Sequence, residues 1–421
     1  MKRTILFSLK FLTILLFVGI LFAYAMFQGG FVSWFLFFGS LPIFLYMALL
    51  LIYPISNIKI ERNIKQNIIE AGNDVKIEIV FKRNPLFPLY YCIIEDIMPD
   101  SIGYRDTKHK KFKYLSKPDA LKEKQGAKKV IFPWLKRTFS FVYTLKHVPR
   151  GEHVLNQLRI VVGDFTGTVK KEKIFNVESK LQVFPAKRKV TLHKTAASFE
   201  EGVSNSLNRT INNTTVVAGV RNYAPGDRVA WIDWKASARK NEMMTKEFEQ
   251  EKSQDMLLLF DATSYENMNW LAFEGAIELG NALLNSLHGE AARLMFTSFG
   301  ATRETFAINH DISSNQNVLK YLTSLRPQAS LPFAKALKQE VSLLQRGYSL
   351  MIITTNFSRE LYDVLLELKL KSPRVVLFLV KDLTSFSKEE QDLFKRLKNY
   401  GIILNIITEE KLIHQSFEVN A

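Results

Sequence analysis

Hydrophobic and polar positions follow three different patterns along the chain. Between residues 11 and 58 the sequence contains no Asp, Glu, Lys or Arg. Two apolar runs, at about residues 5–27 and 32–53, stand on either side of a Gln-Gly-Gly connection. Each run is long enough to cross about 30 Å of hydrocarbon as a helix. We therefore predict a transmembrane hairpin over residues 1–58. A cleaved signal peptide is the weaker interpretation of the first run, because no small-x-small site precedes the second.

The basic residues around this hairpin predict its orientation. The short connection between the two runs is uncharged, whereas both outer ends carry basic residues: Lys2, Arg3 and Lys10 at one end, Lys59, Arg62 and Lys65 at the other. Basic flanks favour the cytoplasmic side of a membrane. We therefore expect a multi-pass protein of the cell (inner) membrane with both termini in the cytoplasm.

From residue 59 to residue 190 apolar and polar positions alternate, which is typical of β-strands. Five short runs with this pattern are separated by Gly, Pro and Asn: 75–81, 90–97, 137–145, 157–164 and 180–185. We predict a β-sandwich-like domain over 59–190.

A basic insertion interrupts this domain at residues 105–137. It has twelve Lys or Arg against three Asp or Glu, and aromatic residues stand between the basic ones. Such a segment can lie on anionic lipid, bind nucleic acid by charge and stacking, or form a solvated loop. The expected membrane anchor favours lipid contact or a solvated loop over nucleic acid.

The rest of the chain divides into a linker and an α/β domain. Residues 191–218 are rich in Ser, Thr and Asn and predict a linker. Over 219–421, continuous apolar strands alternate with amphipathic helices, including a terminal helix at 411–417. This alternation predicts a doubly wound, mostly parallel sheet with helices on both faces.

A dense run of unusual residues opens this last domain. Pro225-Gly226-Asp227 predicts a turn, and Asp227 is suited to cap a helix that follows it. In such a helix Trp231 and Trp234 would share a largely buried face, so the charged residues nearby would need partners. We predict a buried ion-pair network that clamps two domains together. An anion-binding or catalytic site is the alternative.

The same run resembles the signature of a bacterial membrane-protein family called domain of unknown function fifty-eight. The residues that carry the resemblance are Arg221, Tyr223, Pro225, Gly226, Asp227, Arg228, Asp233, Trp234, Lys235, Ser237, Arg239 and Glu249. The resemblance implies a two-span membrane protein with a β-rich middle and a von Willebrand factor A-like (Rossmannoid) end. It also implies genes that often lie beside those of MoxR-type AAA+ ATPases.

A von Willebrand A domain implies a metal site, which can be compared residue by residue. Asp261 and Thr263 match the first two positions of its Asp-x-Ser-x-Ser run, but Tyr265 stands at the third. Ser330 is the candidate loop hydroxyl, and Asn356 stands where a second carboxylate is expected. Because a hard cation gains most from charged oxygens, we predict a degenerate site with at most weak Mg²⁺ binding and no other cofactor.

Charge and motifs complete the functional prediction. Lys and Arg number 57 against 41 Asp and Glu, a net charge of +16, which favours anionic surfaces. One cysteine excludes an internal disulfide, and no phosphate-binding loop or zinc spacing occurs. We therefore predict a non-enzymatic interaction or scaffold module at the membrane, working with a MoxR-type AAA+ ATPase; the sequence identifies no small-molecule substrate. The alternatives are a divalent-metal-dependent hydrolase using Asp233, Asp261 and Glu249, or a reader of anionic lipid or nucleic acid through residues 105–137.

Overall fold

The computed structural model describes residues 2–84, 87–193, 215–224, 227, 229–250, 255–288, 291, 293–308, 312–329, 331–343 and 347–420. The chain begins with two long apolar helices, α1 (Lys2–Gln28) and α2 (Phe31–Ile52). Gly29 adopts a φ of 63° in the turn between them, a conformation that glycine adopts without strain. Both helices are long and apolar enough to span a membrane. The predicted pair of apolar helices is therefore confirmed, as is a mixed α/β body after them.

Two β-sheets follow, and they share one hydrophobic core. Their strands and the next one along the chain are β1 (Lys59–Ile64), β2 (Ile68–Glu70), β3 (Val75–Lys82), β4 (Tyr91–Ile97), β5 (Ala127–Ile131), β6 (Thr138–Leu145), β7 (Gly151–Gly163), β8 (Lys170–Phe184) and β9 (Lys189–His193). One sheet has the order β1-β3-β6 and the other β2-β8-β7-β4-β5. Alternate residues of β3, from Val75 to Phe81, point into the core, and the end of α2 joins the same core through Leu50 and Leu51. The alternation seen in the sequence thus buries one side of each strand.

The basic insertion does not behave as a wholly solvated or lipid-bound loop. It contains 3-10 helices at Lys108–Tyr114 and Pro118–Leu121, followed by β5. Lys111 and Phe112 are fully buried, and Phe112 belongs to the core of the C-terminal domain. The expectation is wrong for this part of the insertion, because two carboxylates compensate the buried charge of Lys111.

The signature run forms a small hairpin of its own. Strands β10 (Thr215–Asn222) and β11 (Met244–Gln250) pair antiparallel in a two-stranded sheet, with a 3-10 helix at Val229–Trp231 and α3 (Trp234–Lys240) between them. The helix therefore begins at Trp234, after Asp233, and not directly after Asp227 as predicted. Of the predicted turn, Pro225, Gly226 and Arg228 lie outside the described residues.

A six-stranded mixed sheet forms the centre of the C-terminal domain. Its strands are β12 (Met256–Asp261), β13 (Leu294–Phe299), β14 (Arg303–Ile308), β15 (Ser349–Thr354), β16 (Val375–Val380) and β17 (Ile403–Ile407). The order is β14-β13-β12-β15-β16-β17, with β14 antiparallel at one edge and the other strands parallel.

Helices cover both faces of this sheet. They are α4 (Trp270–Leu287), α5 (Ile312–Ser324), α6 (Phe333–Leu343), α7 (Arg359–Lys371), α8 (Lys388–Asn399) and α9 (Glu409–Leu412). Leu258 and Phe260 of β12 pack into the core that contains α4, and Leu257 and Leu259 pack into the core that contains α6 and α7. Strands buried on both faces explain the continuous apolar runs in the sequence.

The chain ends in a strand. β18 (Ser416–Asn420) pairs in parallel with β9, which includes the first three residues of the predicted linker. The predicted terminal helix is wrong beyond Ile413, because Phe417 and Val419 alternate with exposed polar residues and fill the core as a strand does.

Candidate functional site

The signature hairpin is closed at its tip by an arginine–carboxylate pair. Arg221 donates two hydrogen bonds to Asp227, from Nη1 to Oδ2 at 2.8 Å and from Nη2 to Oδ1 at 2.7 Å. The backbone N–H of Ala224 donates a third hydrogen bond to Oδ2. The Arg221 hydrogen bonds, followed by that of Ala224, lower the pKa of the Asp227 carboxyl. Because the Arg221 side chain is 42% exposed, this pair fixes the shape of a surface turn and not a buried network.

Asp233 and Ser237 hold α3 against β11. Asp233 Oδ1 caps the helix by accepting from the N–H groups of Lys235 and Ala236 at 3.1 and 3.0 Å. The Ser237 hydroxyl donates to the Asp233 carbonyl and accepts from the N–H of Met244. These bonds position the short helix firmly, although it is only two turns long.

The tryptophans of the signature face outward. Trp234 is 66% exposed and Trp231 is 37% exposed, whereas Ile232 and Met244 provide the buried contacts of the hairpin. The expectation of a buried tryptophan clamp is therefore wrong. The tryptophans are exposed because the hairpin joins no larger sheet: among the described strands, β10 and β11 pair only with each other.

The remaining signature residues fit the same picture. Lys235 and Arg239 are exposed, and Tyr223 is half-buried with its N–H donating to the Met243 carbonyl. Glu249 belongs to β11, and its side chain lies outside the described residues.

The carboxyl edge of the large sheet brings the predicted metal residues together in part. Asp261 ends β12 and is buried, and its Oδ1 accepts from the N–H and hydroxyl of Thr263 at 3.0 and 2.7 Å. Its Oδ2 accepts from the Thr354 hydroxyl at 2.6 Å. Burial raises the pKa of Asp261, and these three hydrogen bonds only partly offset that effect. Asn356 is exposed nearby, where its N–H donates to Thr354 Oγ1, and Ser330 lies outside the described residues.

A cleft of about 390 Å³ opens beside these residues, at the ends of the central strands. Tyr265, Asn356 and Asp382 are among its lining residues, and Asp261 is not. The Tyr265 hydroxyl donates to the Thr355 carbonyl at 3.2 Å, so this side chain joins the loop after β12 to the segment after β15. Asp382 is a carboxylate that our sequence analysis missed; its position directly after an apolar strand was the available signal.

The donors at this edge do not suit a tightly held divalent cation. Both oxygens of Asp261 already accept hydrogen bonds from the fold, and Asp382 accepts from the Thr384 hydroxyl at 2.6 Å. Within the described part of the chain, no three His, Cys, Asp or Glu residues cluster in a way that could hold a metal. Mg²⁺ requires several oxygen ligands in near-octahedral geometry, and this donor set supplies few of them.

Buried charges connect the β domain to the C-terminal domain. Arg150 of the β domain makes a two-pronged contact with Glu274 of α4, at 2.9 and 2.7 Å. One turn further along α4, Glu278 contacts Lys111 at 2.7 Å and Arg188 at 2.5 Å. Burial alone would raise the pKa of Glu278, but Lys111 and Arg188 together lower it, so the carboxylate is ionised. Two glutamates four residues apart in an otherwise apolar helix were the sequence signal for this interface, which our sequence analysis missed.

Comparisons with known proteins agree with the signature. The sequence profile of a family described as "Protein of unknown function DUF58" matches residues 219–382, which include both the hairpin and the carboxyl edge. The Bacillus subtilis (strain 168) protein described as "Uncharacterized protein YeaD" is 31% identical over 399 residues, covering 94% of this chain and 95% of YeaD.

Two solved structures give weak superpositions. Proximal thread matrix protein 1 from the mussel byssus is 16% identical with a TM-score of 0.28, over 38% of this chain and 45% of its own. The PilB minor pilin of Streptococcus sanguinis is 9% identical with a TM-score of 0.27, over 77% of this chain and 85% of its own. Scores this low support no inference about fold or function.

Proposed function

Because the chain belongs to the DUF58 family of proteins of unknown function, we propose its function from geometry: it is a membrane-tethered interaction module, and its signature hairpin is the docking surface for a protein partner. The observation that carries the proposal is Trp234, which is 66% exposed on a helix that is capped and bonded to β11.

The composition of the hairpin surface supports binding. Val229, Trp231, Trp234 and Met243 are large apolar side chains with exposed fractions of 69%, 37%, 66% and 48%. Tryptophan and arginine are enriched among the residues that dominate protein–protein binding energy, and contiguous exposed apolar patches commonly mark interfaces. Because hydrogen bonds already fix α3, docking would order few additional groups, which lowers its entropic cost.

Basic side chains around this surface indicate the partner's chemistry. Lys235, Arg239 and Lys240 are exposed on α3, the same short helix that begins at Trp234. We propose a partner with an apolar pocket for the tryptophan and an acidic rim. Following the family resemblance, we propose a MoxR-type AAA+ ATPase on the cytoplasmic side of the inner membrane, with both termini of this chain cytoplasmic.

The proposal includes a von Willebrand A-like C-terminal domain. Its support is the strand order of the large sheet, in which the first strand of the domain is central and the third is the antiparallel edge. In open sheets of this type, ligands bind beyond the carboxyl ends of the strands, where the order reverses. Here the reversal lies between β12 and β15, beside the cleft that contains Asn356 and Asp382.

Co-purification of the tagged full-length chain from detergent-solubilised membranes tests the proposal. We expect the wild type to retain the ATPase and Trp234→Ser to lose it. Leu370→Ser is the matched control, because Leu370 is 89% exposed on α7, an element separate from the hairpin, and its loss should leave retention unchanged. Absence of any AAA+ protein, with and without nucleotide and Mg²⁺, would remove the ATPase from the proposal. Equal retention by Trp234→Ser would remove the hairpin.

The divalent-metal-dependent hydrolase is the weaker candidate. Asp233 uses Oδ1 to cap α3, and both oxygens of Asp261 already accept hydrogen bonds from the fold, so both carboxylates have structural roles. Calorimetry of the full-length chain with millimolar Mg²⁺ or Mn²⁺ tests it. Saturable binding that Asp261→Asn abolishes would restore this candidate.

A further inference from the structure

A loop of the β domain lies alongside the second apolar helix and not beneath its end. The Tyr46 hydroxyl of α2 donates to the Pro88 carbonyl at 3.0 Å, and its ring stacks on Phe87 with centroids 5.5 Å apart. Tyr46 precedes Ile52, the last residue of α2, by six positions, which is about 9 Å along a helix axis. If α2 spans a bilayer, the loop therefore reaches the depth of its final turns.

Exposed aromatic and aliphatic side chains continue outward from this loop. We call them the aromatic edge: Tyr90, Phe132, Trp134, Leu135 and Phe165, with exposed fractions of 42%, 64%, 58%, 45% and 49%. The Tyr90 ring lies 5.9 Å from that of Phe132 and 6.1 Å from that of Phe165. Two backbone hydrogen bonds, of 3.1 and 3.0 Å, join Trp134 to Leu89, so the edge is one strand spacing from the loop that contacts α2.

A buried arginine fixes the aromatic edge in this outward position. Arg83 is 3% exposed, and its guanidinium donates to the carbonyls of Phe87 and Lys136 at 2.7 Å each and also to that of Trp134. Trp134 itself has a φ of 50°, a conformation that bulky residues adopt only when their surroundings impose it. The display of Trp134 is therefore built into the fold.

A basic cleft of about 760 Å³ lies at the end of the same helix. Residues 51–56 form part of its wall, and Lys171 donates to the Leu51 and Tyr53 carbonyls at 2.6 Å each. Among the described residues, its charged lining consists of two acidic side chains, Glu95 and Glu172, and six basic ones, Lys10, Lys128, Arg159, Lys170, Lys171 and Lys173. The cleft thus carries an excess of positive charge at the level where α2 ends.

We propose that the aromatic edge and the basic cleft seat the β domain in the headgroup layer of an anionic phospholipid bilayer. The inference rests on the membrane tether of the proposed function and adds a second, peripheral contact to it. Tyrosine and tryptophan side chains, which combine an apolar ring with a polar group, favour the boundary between headgroups and acyl chains. Basic side chains beside that boundary are attracted to anionic lipid. The contact between Tyr46 and Pro88 places the aromatic edge beside the last turns of α2, and the contacts of Lys171 with Leu51 and Tyr53 place the basic cleft at its end.

Depth measurement in nanodiscs of phosphatidylglycerol and phosphatidylcholine tests the proposal on the full-length chain. A nitroxide attached to Phe132→Cys reports its collisions with oxygen, which concentrates in lipid, and with a water-soluble nickel chelate. The native Cys92 does not interfere, because it is fully buried and burial raises the pKa of its thiol to about 12. Labels at Leu16→Cys within α1 and at Leu370→Cys on α7 provide the lipid and water references, since both leucines are exposed, at 58% and 89%.

We expect the label at position 132 to collide with oxygen more than with nickel, as the label at position 16 does. In nanodiscs of phosphatidylcholine alone, the label at position 132 should lie less deep than in the mixed nanodiscs. If the label at position 132 is as accessible to nickel as the label at position 370, while the label at position 16 lies in lipid, the inference is overturned but the membrane anchor is not. Protection from both reagents would overturn it in favour of a protein contact, with a second copy or another partner. Equal depth in the two lipids would overturn the role of the basic cleft. Position 16 in water would instead refute the membrane tether itself.

Discussion

Replacement of Lys111 by Met is the sharpest test of the interface between the β domain and the C-terminal domain. The Lys111 ammonium lies 2.5 Å from Asp106 Oδ2 and 2.7 Å from Glu278 Oε1, and all three side chains are at most 2% exposed. Burial alone would lower the pKa of Lys111, but Asp106 and Glu278 raise it, so the side chain is charged in the fold. Methionine preserves most of the volume and removes the charge.

The structure sets the size of the expected effect. Without Lys111, Glu278 keeps its contact with Arg188, but the Asp106 side chain keeps only the N–H of Lys108 among its described hydrogen bonds. Breaking a buried pair by removing one partner costs about 3–5 kcal/mol, because a buried charge is left uncompensated. In a body of this size such a loss lowers the melting temperature by about 5 °C. Adding Asp106→Asn should recover much of the loss, because it removes the uncompensated carboxylate.

The assay is thermal unfolding of the full-length chain in detergent, followed by tryptophan fluorescence. Trp270 reports on this interface, because its ring lies 4.5 Å from that of Tyr104 across the two domains. Lys82→Met is the matched control, since Lys82 and Glu61 pair at 2.9 Å but are 51% and 56% exposed. An exposed pair contributes about 0–1 kcal/mol. If the melting temperatures of Lys111→Met and Lys82→Met agree within error, the buried cluster does not hold the domains together.

Three further predictions concern single sites. Asp233→Ala should lower the local stability of α3 by about 0.5–2 kcal/mol, because only the helix cap is lost. Amide hydrogen exchange at Lys235 and Ala236 should then accelerate while the midpoint of global unfolding stays constant, and Asp233→Asn should retain the protection. For Asp261, the raised folded pKa means that its contribution to stability is present at low pH and is lost as pH rises through that pKa. Asp261→Asn should therefore remove this loss and make stability less dependent on pH; urea unfolding of both proteins between pH 3 and pH 8 measures it, and an unchanged pH dependence contradicts it. Gly275→Ala should destabilise by about 1–3 kcal/mol, because an added Cβ would lie 3.1 Å from Phe112 and from Leu412. Gly280→Ala in the same helix meets atoms only at 3.5 Å or more and should be neutral or stabilising by up to about 1 kcal/mol; equal effects of the two changes would refute the tight docking of the insertion.

Local patterns predicted the elements of this fold well. Alternation identified strands such as β3, and continuous apolar runs identified β12, β15 and β16, because burial on one or two faces leaves a direct trace in the sequence. The same logic failed at the terminus, where SFEVN alternates as a strand does but follows a short helical turn.

Relations between distant segments could not be predicted in this way. The insertion has the pattern of a charged surface loop, because nothing near Lys111 in the sequence announces Glu278 as its partner. The tryptophans of the signature have the pattern of core residues, because local hydrophobicity does not reveal that β10 and β11 join no larger sheet among the described strands. At the carboxyl edge, the contact between Asp261 and Thr263 is local in the sequence, whereas the hydrogen bond from Thr354 to Asp261 depends on the pairing of β12 with β15.

The pairing of β9 with β18 has a consequence for synthesis of the chain. Lys189 leaves the ribosome more than two hundred residues before its partner Ser416, a delay of roughly 10–45 seconds at ordinary translation rates. Throughout that interval β9 lacks its neighbour, and the Arg188 guanidinium lacks the carbonyls of Leu412 and His414. The pairing of β9 with β18 can therefore form only after residues 416–420 have been synthesised. A nascent chain stalled before that point should expose β9 to chaperones or to aggregation.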